Sequence, residues 1–151
     1  MDASKITNAK LIVVKVGTST LTYPSGFINL RHIESLVKCL SDLQNSGKRV
    51  VLVSSGAIGC GLGKIGLGRD ELTTEQKQAA AAVGQCELID MYSRLFGEYG
   101  HTVGQLLLTR DVTDIPHRRE HAENTLRVLI QLGCIPVINE NDTVSSEEIM
   151  Y

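Results

Sequence analysis

The chain has 151 residues, of which 42% are apolar and 4% aromatic, with no tryptophan. That length sets the expectation of one domain, able to bury roughly two-thirds of the surface of its unfolded chain. A net charge of −2 gives no electrostatic case for nucleic acid or an anionic membrane, and so few aromatic rings weaken any base-stacking reading.

Leu11 to Val16 is a short apolar run rich in β-branched residues, and it reads as a buried strand. Gly17-Thr18-Ser19-Thr20 breaks the run, and Thr22 to Asn29, with Pro24 and Gly26, reads as loop. Ile33, Leu36, Val37, Leu40 and Leu43 then recur at helical spacing, with Asn29 a start cap and Gly47 a stop. Arg49 to Val53 is a second buried strand, ending in the small-residue turn Ser54-Ser55-Gly56-Ala57. Gly59 to Gly68 is glycine-rich and predicts a short or irregular helix. Thr73 with Gln76 forms a capping-box pattern that opens a long alanine-rich helix to about Gly97. Val103 to Leu108 is a third strand and Thr109 to Pro116 a loop. His117 to Leu132 is a helix stopped by Gly133, and Ile135 to Ile138 is a fourth strand.

Strands that alternate with helices, each nearly continuous in apolar residues, predict a mainly parallel sheet covered on both faces. The fold class expected is α/β, a three-layer α/β/α sandwich. Ligands of such sheets bind beyond the carboxyl ends of the strands. Three strands end in polar or glycine-rich turns: Gly17-Thr18-Ser19, Ser54-Ser55-Gly56 and Asn139-Glu140-Asn141-Asp142. Cys39, Cys60, Cys86 and Cys134 form no C-x-x-C pair; they read as reduced and mostly core-filling, which implies a cytoplasmic protein. The polar start, Met1 to Lys10, does not read as a signal peptide, and no apolar run approaches the ~20 residues that span a bilayer.

Lys15 is a charge inside an apolar strand. It is either a cation aimed at a phosphate or a strand-end lysine whose ammonium reaches water, and Gly17 beside it lets backbone approach a ligand closely. Ser54-Ser55-Gly56-Ala57 either opens a helix whose free N–H groups favour a carboxylate or phosphate, or is an ordinary serine cap. Asn139 to Asp142 either reads a polar ligand or is a solvated turn. Two further patterns carry little weight. Gly61-Leu62-Gly63-Lys64-Ile65-Gly66 matches G-x-G-x-x-G but starts well after its strand, and no Walker A loop is completed. His117-Arg118-Arg119-Glu120-His121 matches H-x-x-E-H with no third ligand evident, so no metal site is expected.

Taken together, Val13 to Ser19, Val53 to Ile58, Ala81-Ala82-Val83-Gly84-Gln85, Gly104 to Thr109 and Pro136 to Asp142 resemble the amino acid kinase family, and its glutamate 5-kinase branch in particular. The resemblance runs from about Lys10 to Tyr151. It implies ATP-dependent phosphorylation of the side-chain carboxylate of L-glutamate to γ-glutamyl phosphate, the first step towards proline, with ATP and Mg2+ as cofactors. A carboxylate nucleophile is already ionised at neutral pH, so the chemistry asks for positioning and charge neutralisation rather than a strong base. By resemblance, Lys15 is the catalytic lysine at the transferring phosphate, and Gly17, Thr18 and Ser19 adjoin the phosphates. Ser55, Gly56 and Ala57 hold glutamate, Asp142 recognises its α-ammonium group, and Asn139 supports that pocket. The resemblance further implies a homo-oligomer, a dimer or tetramer. Residues 1–151 correspond to the amino-terminal, substrate-binding part of the kinase domain, and the sandwich is incomplete at its carboxyl end. A Gly-Asp-Asn-Asp-type motif and the half carrying most of the ATP site are expected beyond Tyr151, so that residues 1–151 alone are inactive. The alternatives are a non-catalytic piece, or a superfamily member acting on carbamate, N-acetylglutamate, aspartate or a nucleotide.

Overall fold

The computed structural model describes residues 7–68 and 70–145. Residues 1–6, 69 and 146–151, which include both ends of the stretch assigned to the domain, lie outside the described residues. The elements run β1 (Leu11–Val16), α1 (Thr18–Leu21), α2 (Leu30–Asn45), β2 (Arg49–Ser54), α3 (Ala57–Ile65), α4 (Thr74–Glu98), β3 (Val103–Leu108), α5 (Arg110–Asp114), α6 (Pro116–Gln131) and β4 (Ile135–Glu140). The strands form one parallel sheet in the order β1-β2-β4-β3. This is the expected α/β class.

Local chemistry explains most boundaries. The Asn29 side chain accepts from the His32 N–H at the start of α2, and Gly47 beyond its end takes φ 91°, a left-handed turn that glycine adopts without penalty. Thr73 and Gln76 form the reciprocal capping box of α4. Three expectations are corrected. Thr18–Leu21 is a turn of helix rather than a plain break, anchored by buried Leu21. Thr109 to Pro116 contains the short helix α5, and α6 begins at Pro116, whose fixed φ suits a first helical position. The fourth strand runs two residues further than expected, because Leu107 and Leu108 of β3 pair with Asn139 and Glu140.

Register assigns each residue to a face. Val14, Leu52, Val137 and Gln105 form one cross-strand row, and Lys15, Val53, Ile138 and Leu106 the next, facing the other way. The first face carries the core: Val16, Val50, Leu52, Ile135 and Val137 pack with Ile33, Val37 and Leu40 of α2 and Leu88, Tyr92 and Phe96 of α4. On the second face α6 lies over the β3–β4 end, where a Cβ on Gly104 would meet the Leu129 side chain at 2.8 Å. At the β1 end of that face Leu11 is 48% and Val13 60% exposed. The expectation of a sheet covered on both faces therefore holds for one face and for part of the other. Of the cysteines only Cys60 is buried, while Cys39 and Cys86 are exposed; the reading of mostly core-filling cysteines is corrected accordingly.

The G-x-G-x-x-G stretch lies within and at the end of α3, where Gly61 serves helix packing, Gly63 meets the loop backbone at Gly26, with a Cβ there only 2.5 Å from the Gly26 carbonyl carbon, and Gly66 ends the helix at φ 70°. A Cβ on Gly61 would lie 1.8 Å from the Ala80 carbonyl oxygen, and one on Gly84 of α4 would lie 1.8 Å from that of Ala57. The two helices thus touch backbone to backbone, and this contact seats the start of α3 against the sheet. Among the described residues no helix is long and apolar enough to cross a membrane.

Candidate active site

A cavity of about 420 Å³ opens at the carboxyl ends of the strands, lined by Lys15 from β1, Ser54 and Ser55 from the end of β2, Asn139 and Glu140 from β4, and Thr109, Arg110 and Thr113 after β3, over a floor of Val53, Leu108 and Ile138. The position follows from the parallel sheet, whose strands all deliver their carboxyl ends to one side. Lys15 is exposed and Val16 buried, because alternation sends Val14 and Val16 into the core and Lys15 to the opposite face.

The turns after β1 and β2 lie side by side. The Ser55 N–H donates to the Val16 carbonyl at 3.1 Å, and a Cβ on Gly56 would sit 3.4 Å from Thr18 Cα. Gly56, not a serine, caps α3, at φ 94° and with no side-chain hydrogen bond to the helix. The serine-cap reading is thereby overturned. The first N–H groups of α3 are left without a side-chain acceptor, an arrangement that suits an anion. Ala57 is buried, so its side chain contacts the core and only its backbone faces the turn.

Asn139 is 7% exposed. Its Nδ2 donates to Gln85 Oε1 at 2.7 Å, and its Oδ1 accepts from the Glu140 N–H at 2.9 Å. Glu140 accepts from Ser145 Oγ at 2.6 Å. Asp142 is 6% exposed and sits in a turn tied to β3 by the Asn141 N–H, which donates to the Leu108 carbonyl at 2.8 Å. The structure therefore brings Lys15, Ser55 and Asn139 into one cavity. Gly17, Thr18, Ser19, Gly56 and Ala57 adjoin it through the paired turns, and Asp142 follows on the β4 turn without lining it.

Ser54, Glu140, Thr109, Arg110 and Thr113 line the cavity but were not singled out from the sequence as individual site residues. The rule that pointed to the other strand ends applies equally to the end of β3, where Thr109 and Arg110 stand. The lining holds two cations, Lys15 and Arg110, against the carboxylate of Glu140. Arg110 Nε lies 3.8 Å from the Asp114 carboxylate, in an exposed pair of the kind that contributes little. The remaining sequence patterns stay outside the cavity. The rings of His117 and His121 are 6.5 Å apart on α6, and among the described residues no group of three or more His, Cys, Asp or Glu side chains could hold a metal. Burial, with Glu87 nearby, pushes the Cys60 thiol up to about 11, so it stays protonated at neutral pH.

Comparison with known proteins assigns the chain to a family. The model of the amino acid kinase family matches residues 10–151. The chain is 57% identical over 144 residues to the glutamate 5-kinases of Listeria innocua and Listeria monocytogenes, covering 95% of this chain and 52% of theirs. It is 54% identical over 142 residues to that of Clostridium perfringens, covering 94% of this chain and 53% of the relative. The chain thus spans about half the length of the curated relatives it matches. With the match running through every strand that delivers a residue to the cavity, the chain belongs to the amino acid kinase family.

Proposed function

We propose that this protein transfers the γ-phosphoryl group of ATP to the side-chain carboxylate of L-glutamate, releasing ADP and γ-glutamyl phosphate, the first step towards proline. The observation that carries this reading is the convergence of Lys15, Ser55 and Asn139 on one strand-end cavity in a chain 57% identical to glutamate 5-kinases. A carboxylate oxygen of glutamate forms the new bond to phosphorus as the bond to the ADP oxygen breaks. No proton has to be removed from the nucleophile, so the work of the site is alignment and neutralisation of charge. Lys15 neutralises the transferring phosphate. Gly17, Thr18 and Ser19 adjoin the phosphates with backbone N–H and hydroxyl donors. Ser55, Gly56 and Ala57 hold glutamate, Asn139 supports the pocket, and Asp142 recognises the α-ammonium group. Glu140, the carboxylate lining the cavity, already accepts from Ser145, so Mg2+ fits best as the counter-ion carried by the ATP phosphates.

On the same reading residues 1–151 form the substrate-binding part of the kinase domain, most of the ATP site lies in the further length that the relatives have, and the protein is a cytoplasmic homo-oligomer. The half-length match favours a second reading for the 151-residue chain by itself, as a piece without turnover. The test is hydroxylamine trapping of γ-glutamyl phosphate by the protein at its natural length. Wild type forms the hydroxamate only with glutamate and ATP together, and Lys15→Ala lowers kcat roughly 10²–10³-fold. Hydroxamate formation at wild-type rate by Lys15→Ala removes Lys15 from the chemistry.

A further inference from the structure

The stretch Ala81-Ala82-Val83-Gly84-Gln85 takes no part in the chemistry above, yet it lies on the helix that supports both halves of the cavity. Gly84 lets α4 meet the backbone of Ala57, two residues beyond Ser55. On the next residue, Gln85 Oε1 accepts from Asn139 Nδ2 at 2.7 Å. One turn pair further, on the same face of α4, the Tyr92 hydroxyl lies 3.1 Å from Ser54 Oγ. Continuing the register of Val53 with Ile138, Ser54 and Asn139 are cross-strand neighbours at the ends of the two central strands. The helix therefore holds both strand ends through polar bonds, just where Ser55 and the β4 turn leave the sheet.

The orientation of the Asn139 amide follows from its partners. The Glu140 N–H needs an oxygen acceptor, so Oδ1 faces it and Nδ2 must face Gln85. One Nδ2–H and one Oδ1 lone pair are then all the hydrogen-bonding capacity that Asn139 can offer the cavity it lines. We propose that Gln85 is a positioning residue for acid-substrate binding, fixing through its Oε1 which N–H and which lone pair Asn139 presents to the substrate. The inference rests on the kinase reading for the identity of that acid, but not for the bond itself.

The test uses the protein at its natural length with Gln85→Met, which keeps the size and removes the acceptor, and Gln85→Glu, which restores an acceptor. In Gln85→Met the KM for glutamate rises roughly tenfold, the KM for ATP stays within twofold, and Tm is near wild type. In Gln85→Glu the glutamate KM returns to within threefold of wild type. The second readout needs no turnover: the Asn139 side-chain amide signal in ¹⁵N NMR, assigned by its loss in Asn139→Ser, exchanges faster with solvent in Gln85→Met than in wild type. An unchanged amide signal in Gln85→Met overturns the proposal, as does a freed amide with unaltered glutamate KM. Equal rises in both KM values with no rescue by Gln85→Glu reduce Gln85 to a structural role and also overturn it. Should wild type phosphorylate a different acid, the glutamate reading fails while the same comparison, read on that acid, still decides for or against Gln85.

Discussion

Gly17 and Gly56 follow neighbouring strands, but their backbones make opposite demands. Gly56 stands at φ 94° with Thr18 Cα 3.4 Å from where a Cβ would be. An alanine there is strained, and Gly56→Ala should cost about 1–2 kcal/mol in urea unfolding. Gly17 is extended, at φ −88°, and a Cβ on it would meet nothing within 4 Å. Gly17→Ala should leave stability within about 0.5 kcal/mol of wild type while raising the KM for ATP, because only a ligand would feel the added methyl. A stability loss as large as that of Gly56→Ala would contradict this division. Tyr92 supplies a pH test. It is 1% exposed, and burial, partly offset by the hydrogen bond with Ser54, pushes its hydroxyl up to about 12, above the ordinary value near 10. A raised value in the folded state means that the contribution is whole below pH ~10 and is lost as pH rises towards ~12. Urea unfolding at pH 9 and pH 11 should show wild type losing more stability than Tyr92→Phe. At this scale Lys15 and Asn139 were legible as polar residues at the ends of apolar runs. Gln85 was not legible as a hydrogen-bond partner, since nothing local distinguishes it on an alanine-rich helix and its partner lies 54 residues away.

Among the elements, the α3–α4 contact is the most exacting. A Cβ on Gly84 would lie 1.8 Å from the Ala57 oxygen, so Gly84→Ala must push the helices apart and should cost about 3 kcal/mol, the upper end of ordinary overpacking. Thr73→Ala, which removes a cap that touches no other element, should cost only about 1 kcal/mol. Thermal unfolding of the two variants side by side checks the order, and a reversed order would contradict the backbone contact. The first and third strands were legible to the residue, because β-branched and leucine runs stop at glycine or threonine. The helices α1 and α5 were not, since elements of 4 and 5 residues show no periodicity. The last two residues of β4 are polar and are held in the strand by pairing with β3, a tertiary cause that the local sequence does not carry. Gly61 and Gly63 of α3 were visible, but their purpose was not, because close backbone packing, against α4 for Gly61 and against the Gly26 loop for Gly63, calls for the same residue as ligand approach.

At the scale of the molecule, alternating strands and helices were enough to read a parallel α/β sheet, and the strand-end rule was enough to locate the cavity. Coverage of the sheet was not legible, because an apolar strand reads the same whether its far face is covered within the chain or by something else. With β1 at one edge and Leu11 and Val13 exposed on its open face, residues 1–151 expressed alone should self-associate. Size-exclusion chromatography should show elution that shifts with concentration, whereas a monomer at every concentration would mean that the open face is tolerated in water. The central claim is that the cavity holding Lys15, Ser55 and Asn139 serves glutamate. The most direct test is kcat/KM with ATP, for the protein at its natural length, across L-glutamate, aspartate, N-acetylglutamate, carbamate and a nucleoside monophosphate. Glutamate should lead by at least about 10²-fold, as expected where buried polar groups read a charged substrate. A higher kcat/KM for any of the others would contradict the account.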